Sequence, residues 1–221
     1  MGYRLAPTLS YCCTEGQRIF LDTKRDRYFC LVSGLEASFE RWATGQPLSP
    51  PDLANVTKLA AERLLVETSG PDVRPAARSS PDPPRISLFD RAVRADRLSV
   101  FTAYARFQWA GARLALFGLA ASLVGLERHK RQMRRRPDAE AAAQQVANAF
   151  RGAGLYATTR LHCLSHSIAV AHALLAQGAP ALLVIGVRTR PFGAHAWVQL
   201  GELVVNDSID NVRDFTPIRL V

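Results

Sequence analysis

The sequence predicts an α+β protein built from two folded parts, and two observations lead to this prediction. First, residues 68–86 hold five prolines and show no apolar periodicity, as expected of an extended linker. Second, short aromatic and branched segments precede this linker, whereas a long helical pattern and then strands follow it. We therefore divide the chain into residues 1–70, a linker at 71–86, and residues 87–221.

The first part is predicted to hold a β-meander followed by helices, a content that is winged-helix-like. Ser33 and Glu36 have the spacing of a capping box, which predicts a helix ending near Trp42. Pro50 suits the first turn of a second helix, and a short strand follows that helix. Aromatic and branched side chains suit a pleated surface and predict three strands. These strands are Tyr11–Thr14, Gln17–Thr23 and Arg27–Val32.

A sheet this small leaves an open edge, which admits two interpretations. An extended peptide can be added to such an edge as a further strand. Alternatively, the domain covers this edge with its neighbour. The sequence of residues 1–70 alone favours neither interpretation.

The second part begins with helices and ends with strands. Apolar residues recur at helical spacing through Ser87–Ala153, and Pro137 opens a further helix within that range. A helix at His162–Gln177 then ends at Gly178. The predicted strands are Ala181–Arg188, Ala194–Leu200 and Leu203–Asp207.

Charge and cysteine content narrow the classes of function. The net charge of +9 resides mainly after the linker, partly in a basic run at residues 128–136. We interpret this run as a solvated helix end rather than a nucleic-acid site, because no aromatic stacking residues interleave with it. The four cysteines form no disulfide framework or zinc knuckle, and the N-terminus lacks an apolar signal core. We therefore expect a reducing cytoplasm.

The longest apolar run, Leu114–Leu126, has 13 residues. Arg113 precedes it and Glu127 follows it. The run is short for a membrane span, so we expect a buried helix and no membrane.

The stretch Leu161–Leu175, LHCLSHSIAVAHALL, places one cysteine among three histidines. His162 and His166 share a helical face, but His172 lies about 120° from that face. A zinc site would therefore need ligands from elsewhere. The glutamate base of an HExxH enzyme is also missing, because cysteine follows His162. We predict no metal at this stretch.

A cysteine nucleophile fits the same stretch better. Cys163 stands at the predicted start of the helix, where unpaired N–H groups lower a thiol pKa and can stabilise an oxyanion. A base and a group that orients the base are then required. With a three-residue loop at Leu200–Glu202, antiparallel pairing sets His195 opposite Asp207, whereas a two-residue loop would separate them. The order Cys163, His195, Asp207 on helix, strand and strand fits a papain/transglutaminase-like cysteine protease domain.

Each of these positions also admits a different interpretation. Cys163 could be a buried small apolar residue. Asp210 could take the place of Asp207 as the orienting acid. His166, one turn past Cys163, could be the base, although it has no obvious acidic partner.

Several motifs carry a family resemblance. HCLSHSIAVAHALLAQG, LLVIGVR, HAWVQL and VVNDS resemble the transglutaminase-like B proteins of lasso peptide biosynthesis. The resemblance covers roughly Leu88–Val221 and is strongest from Leu161 onward. In the first part, FLDTKRDRYFCLVSG before a helix ending in Trp42 resembles the small precursor-recognition domain related to PqqD-type chaperones. Fusion of both domains in one chain is a known arrangement in that family.

The resemblance implies a bacterial, cytoplasmic cysteine peptidase that removes the leader from a ribosomally made precursor peptide. Cys163 would be the nucleophile, His195 the general base and then acid, and Asp207 the orienting group. No metal or cofactor is implied in this chain. The partner would be an asparagine-synthetase-like cyclase that uses ATP to close a macrolactam (lasso) ring on the released core. The leader would bind by strand addition at Arg27, Tyr28, Phe29, Cys30 and Leu31.

Two further functions stay open at this point. A transglutaminase- or acetyltransferase-like enzyme would pass the acyl group to an amine, and a non-catalytic adaptor would only bind peptide. Nucleic-acid binding by the first part is disfavoured, because residues 1–70 hold 8 basic and 8 acidic side chains.

Overall fold

The computed structural model describes residues 2–75, 81–91, 93–156 and 162–221. This part of the chain has the mixed helix and strand content of the predicted α+β class. The chain divides into two compact units, residues 1–79 and residues 80–221.

The predicted linker at 71–86 lies partly outside the described residues, which omit 76–80. One end of the predicted linker belongs to the first unit and the other end belongs to the second. The Val73 N–H donates to the Tyr3 carbonyl at 2.8 Å, and Ile86 begins a strand of the second unit. Within the described residues, the unpaired part of the linker is therefore shorter than the predicted segment.

The first unit contains five strands in its described residues. They are β1 (Gly2–Leu5), β2 (Leu9–Thr14), β3 (Gln17–Asp22), β4 (Arg27–Phe29) and β5 (Leu65–Thr68). Strands β2, β3 and β4 form an antiparallel sheet in that order, so β4 lies at an edge, and β1 pairs separately with β5. The meander was predicted, but β1 was not. The winged-helix-like character of the unit stays a prediction.

Two helices, α1 (Ser33–Thr44) and α2 (Pro50–Ala61), complete the core of this unit. The ring of Phe39 on α1 meets Phe20 of β3 edge-on, with centroids 5.1 Å apart. Trp42 packs beside Phe39, and Leu59 of α2 is fully buried in the same cluster. Burying several aromatic rings gives a unit of this size a core of its own.

The capping box predicted at Ser33 is wrong. Ser33 is itself the first residue of α1, and the carboxylate of Glu36 pairs with Arg18 of β3 at 3.3 Å. The capping box instead opens α2, where Ser49 and Asp52 exchange hydrogen bonds between side chain and backbone. An acid that has a partner on a neighbouring strand is not available to close its own helix end.

The second unit contains a five-stranded sheet in its described residues. Its strands are β6 (Ile86–Ser87), β7 (Leu182–Thr189), β8 (Phe192–Leu200), β9 (Leu203–Val204) and β10 (Thr216–Leu220). The order is β10-β7-β8-β9-β6, antiparallel except for the last pair. The short strands β6 and β10 were not predicted.

Four helices accompany this sheet in the described residues. They are α3 (Arg97–Gln132), α4 (Ala139–Gly154), α5 (Cys163–Ala176) and α6 (Ile209–Arg213). Helix α5 packs against α3 and α4 and also against β7 and β8. This position explains why α5 is apolar around most of its circumference. Gly178, with φ of 77°, lies just beyond its end, as expected of a helix stop.

Helix α3 differs from the expectation of a buried apolar helix. Leu116 and Phe117 are exposed, and Gly118 has φ of 77° and ψ of 176°, which breaks the helical geometry there. By length and composition alone α3 would be able to cross a membrane, and 28% of its most apolar window is buried. Core helices of soluble proteins also meet that criterion.

Candidate active site

Cys163 is the first residue of α5, and its side chain is half-buried. Its thiol shares a hydrogen bond with the imidazole of His195 on β8. The backbone N–H groups of Leu164 and Ala196 also interact with the sulfur. The start of α5 therefore points the thiol at strand β8 rather than into the core.

His195 links the thiol to a carboxylate. Its Nε2 hydrogen-bonds to Oδ2 of Asp207, which leaves Nδ1 for the thiol. The ring of His195 contacts two aromatic rings, with centroid distances of 6.2 Å to Trp197, which is nearly parallel to it, and 5.2 Å to Phe215. Two aromatic neighbours and a carboxylate thus orient the imidazole, as a base in nucleophilic catalysis requires.

Asp207 is itself held in place by hydrogen bonds. The Ser208 N–H donates to its Oδ1 at 2.7 Å, and Nδ2 of Asn211 lies 3.1 Å from both carboxylate oxygens. Its backbone carbonyl accepts from Ser87 Oγ at 2.9 Å. Asn211 was not predicted as a site residue: it lies four residues past Asp207, but α6 is a single short turn that apolar periodicity does not mark.

The register predicted for β8 and β9 is wrong, although His195 and Asp207 do meet. Gln199 pairs with Val204 and Leu200 with Leu203, so the loop has two residues, not three. Gly201 has φ of 58°, which suits the first position of a two-residue hairpin turn.

The end of β9 explains why His195 and Asp207 meet despite the different register. Strand β9 ends at Val204, and the Val205 N–H still donates to the Val198 carbonyl at 2.9 Å, but the Val198 N–H donates to the side-chain oxygen of Asn206 at 2.8 Å. The Asn206 side chain thus takes the place of a backbone partner, so the strict alternation of a strand no longer applies. The chain bends there and brings Asp207 to His195.

Asn206 also connects this bend to α5. Its Nδ2 donates to Ser167 Oγ at 2.9 Å, and Ser167 donates to the Ala196 carbonyl at 2.8 Å. Asn206 and Ser167 are buried. Because buried polar groups are stable only when they are hydrogen-bonded, this network fixes the helix that carries Cys163 against the strand that carries His195.

The electrostatics of the cysteine and histidine favour an ion pair. Burial raises the pKa of the Cys163 thiol, but the hydrogen bond and charge of His195 outweigh it and leave this pKa below its ordinary value. Burial lowers the pKa of His195, but its hydrogen bonds and the charges of Asp207 and Cys163 raise it to about 9. At a pH above the pKa of the thiol and below about 9, the proton resides on the imidazole and the sulfur is a thiolate.

His166 does not have the properties of the base. Burial lowers its pKa to about 4, so the ring is neutral at pH 7, although the charge of Asp207 acts in the opposite direction. Its Nδ1 lies 3.3 Å from the amide nitrogen of Asn206, and its ring packs against Phe107 and Phe150. A lone pair that accepts from Asn206 is not available to the thiol.

Asp210 and His172 both have partners outside the imidazole–carboxylate pair. Asp210 has an almost fully exposed side chain, and its nearest cation is Arg213 at 4.0 Å. His172 stacks against His129, with their Nδ1 atoms 3.0 Å apart. Residues 157–161, which precede His162 and Cys163, lie outside the described residues.

A cleft of about 760 Å³ opens onto the three side chains. Cys163, His195 and Asp207 lie in its lining, together with the apolar side chains of Phe89 and Leu155. Among residues 2–75, 81–91, 93–156 and 162–221, no three His, Cys, Asp or Glu side chains cluster as metal ligands would. The absence of a metal or cofactor from the reaction stays a prediction.

The predicted leader-binding residues lie in the first unit. Arg27, Tyr28 and Phe29 form β4, whereas Cys30 and Leu31 follow the end of the strand, so the predicted strand is too long. Phe29 stacks on Phe20 and Leu31 packs against the core, while Cys30 is exposed. Peptide binding at this edge stays a prediction.

Comparisons with known proteins found similarities in two cases. Residues 105–220, just over half of the chain, match the transglutaminase-like superfamily. A stretch of 52 residues is 48% identical to the microcin J25-processing protein McjB of Escherichia coli. This stretch is 24% of each chain, so the protein covers about a quarter of that curated relative. No solved structure matches the chain.

Proposed function

Because the chain belongs to the transglutaminase-like superfamily, we propose that it is a cysteine peptidase that removes the leader from a ribosomally made precursor peptide. The observation that carries the proposal is the hydrogen-bonded series of Cys163, His195 and Asp207 in an open cleft. The similarity to a microcin-processing protein supports a peptide precursor as the substrate.

In the proposed reaction, the Cys163 thiolate attacks the carbonyl carbon of the scissile amide. Negative charge then develops on the carbonyl oxygen, near backbone N–H groups of the kind that stabilise an oxyanion. The His195 imidazolium donates its proton to the amine nitrogen as the carbon–nitrogen bond breaks. The core peptide leaves with a free amine, and the leader remains as a thioester on Cys163.

Water completes the proposed cycle. His195, now neutral, takes a proton from water as the oxygen attacks the thioester carbon. The carbon–sulfur bond breaks, which releases the leader as a carboxylic acid and returns the thiolate–imidazolium pair. Asp207 keeps the imidazole oriented through both steps and stabilises its positive charge.

The first unit is proposed to bind the leader by adding it as a strand next to β4, which is an edge strand in the described part of its sheet. The free amine of the core is what a macrolactam-forming partner needs, so we assign the next step to an ATP-dependent, asparagine-synthetase-like cyclase. Both proteins are proposed to act in the bacterial cytoplasm.

The proposal is tested by mixing the purified protein with a candidate precursor, with and without the cyclase, and recording mass spectra. The expected result is two fragments whose masses add to the precursor plus one water, or to the precursor alone where the cyclase has closed the ring with loss of one water. A product in which an added amine is joined to the leader would favour acyl transfer instead. An intact precursor that nevertheless binds the protein would favour a non-catalytic adaptor.

A further inference from the structure

We propose that a groove beside the catalytic cleft binds the part of the precursor that adjoins the scissile bond, and that it selects an apolar side chain accompanied by acidic ones. The groove lies between the start of α3 and the end of α4 and encloses about 1030 Å³. This inference rests on the proposed function, because it names the substrate features that the same site would recognise.

The groove adjoins the cleft. Arg151 and Leu155 of the α4 region line both spaces. A polypeptide whose scissile amide reaches Cys163 therefore has this groove open to it on one side. Because the groove shares two lining residues with the site of the reaction, we take its occupant to be the substrate itself.

The surface of the groove is apolar and exposed. Phe101 on α3 is 68% exposed, and Leu155 and Tyr156 are 84% and 75% exposed. Single exposed apolar residues are ordinary, but a contiguous group of them at the mouth of a cleft is typical of a binding site.

The floor of the groove is a close contact between the two helices. A Cβ atom added at Gly152 of α4 would lie 2.7 Å from a methyl carbon of Val100 on α3. The absence of a side chain at Gly152 therefore lets the helices touch below the exposed rings. The walls are then held by α3 and α4 rather than by a loop.

Charge adds a second requirement for the ligand. Arg94, Arg97 and Arg151 line the groove, and none of its described lining residues is acidic. Arg151 is fixed, since its Nη1 donates to the Phe89 carbonyl at 2.6 Å and its guanidinium lies over the Phe89 ring. A ligand that buries an apolar side chain here meets positive charge on its flanks, which favours acidic neighbours.

A binding measurement tests the groove on the full chain carrying Cys163→Ala, so that no peptide is consumed. The probe is a fluorescein-labelled peptide of alternating glutamate and leucine. In one matched peptide lysine replaces glutamate, and in the other serine replaces leucine. Fluorescence anisotropy should show the glutamate–leucine peptide binding about tenfold or more tightly than either analogue, an effect of one lost side-chain contact or charge pair.

Variants of residues that line the groove test whether the peptide binds there. Phe101→Ala and Arg97→Glu should each weaken binding of the glutamate–leucine peptide about tenfold. The affinity of the Arg97→Glu protein should also depend less on salt concentration than that of the parent. Phe117→Ala is the matched control, because Phe117 is a 63% exposed aromatic residue of the same helix outside the groove. Its affinity should equal that of the parent.

Equal affinity in all variants would overturn the proposal. The proposal would also be overturned if the parent protein were dimeric and the Phe101→Ala protein monomeric, because a second copy would then fill the groove.

Cleavage of the precursor is measured in parallel with Cys163 restored. If the peptide binds as expected and the precursor is not cleaved, the proposed function fails while the groove is retained. If the precursor is cleaved equally by all variants, the groove fails alone.

Discussion

Cys163→Ala is expected to lower the rate of precursor cleavage by at least about 10³-fold, because it removes the nucleophile and leaves only binding and charge stabilisation. The rate is measured by mass spectrometry of the precursor and its two fragments over time, with the cyclase present. Cys13→Ala is the control, since Cys13 is an exposed thiol of the first unit. It should cleave at the rate of the unmodified protein.

The same Cys163 variant should still bind the precursor. Affinity measured by anisotropy should change by less than about threefold, because the side chain loses only a sulfur atom at the helix start. Cleavage that persists in Cys163→Ala would rule out the assignment of the nucleophile. A loss of both binding and folding would be detected by circular dichroism, and Cys163→Ser, which keeps the side-chain volume, would then replace alanine.

His195→Gln is the second large change, with an expected loss of cleavage of about 10²–10⁴-fold, the usual range for a general acid–base group. His129→Gln is the matched control, because His129 stacks with His172 and is not part of the cleft lining. A rate for His195→Gln equal to that of the control would show that another group moves the proton.

The pKa of the Cys163 thiol provides a second test of the role of His195. His195 lowers the pKa of Cys163 through a hydrogen bond and through its charge, so removing the imidazole should raise that pKa. The pH midpoint of iodoacetamide labelling at Cys163, followed by peptide mass spectrometry, should therefore move upward in His195→Gln. In the unmodified protein, cleavage should fall below the thiol pKa and again above about 9, where His195 loses its proton.

The sequence predicted the residues of the site better than their geometry. Cys163 was placed correctly at a helix start, because the apolar helical pattern begins beside it and runs to the stop at Gly178. His195 and Asp207 were brought together by a pairing register that the structure contradicts. Their contact depends on Asn206, whose side chain replaces a backbone partner and bends the chain after a very short strand.

The missed strand pairings and the missed capping box have a common physical cause. Strand pairing of β1 with β5, and of β10 with β7, joins segments far apart in sequence, which local patterns do not reveal. The capping box at Ser33 failed because Glu36 is engaged by Arg18 of another element. Asn211 was missed for a different reason: it lies only four residues past Asp207, but on a helical turn too short to show apolar periodicity.

The thioester between Cys163 and the leader is the species that tests covalent leader removal most directly. Protein and precursor are mixed with the cyclase, quenched in acid within seconds, and measured by intact mass and after digestion. We predict an adduct with the mass of the leader acyl group on the peptide that contains Cys163, and its conversion by hydroxylamine into a leader hydroxamate. Cleavage of the precursor with no adduct and no hydroxamate, at a rate unchanged by Cys163→Ala, would contradict the proposed mechanism.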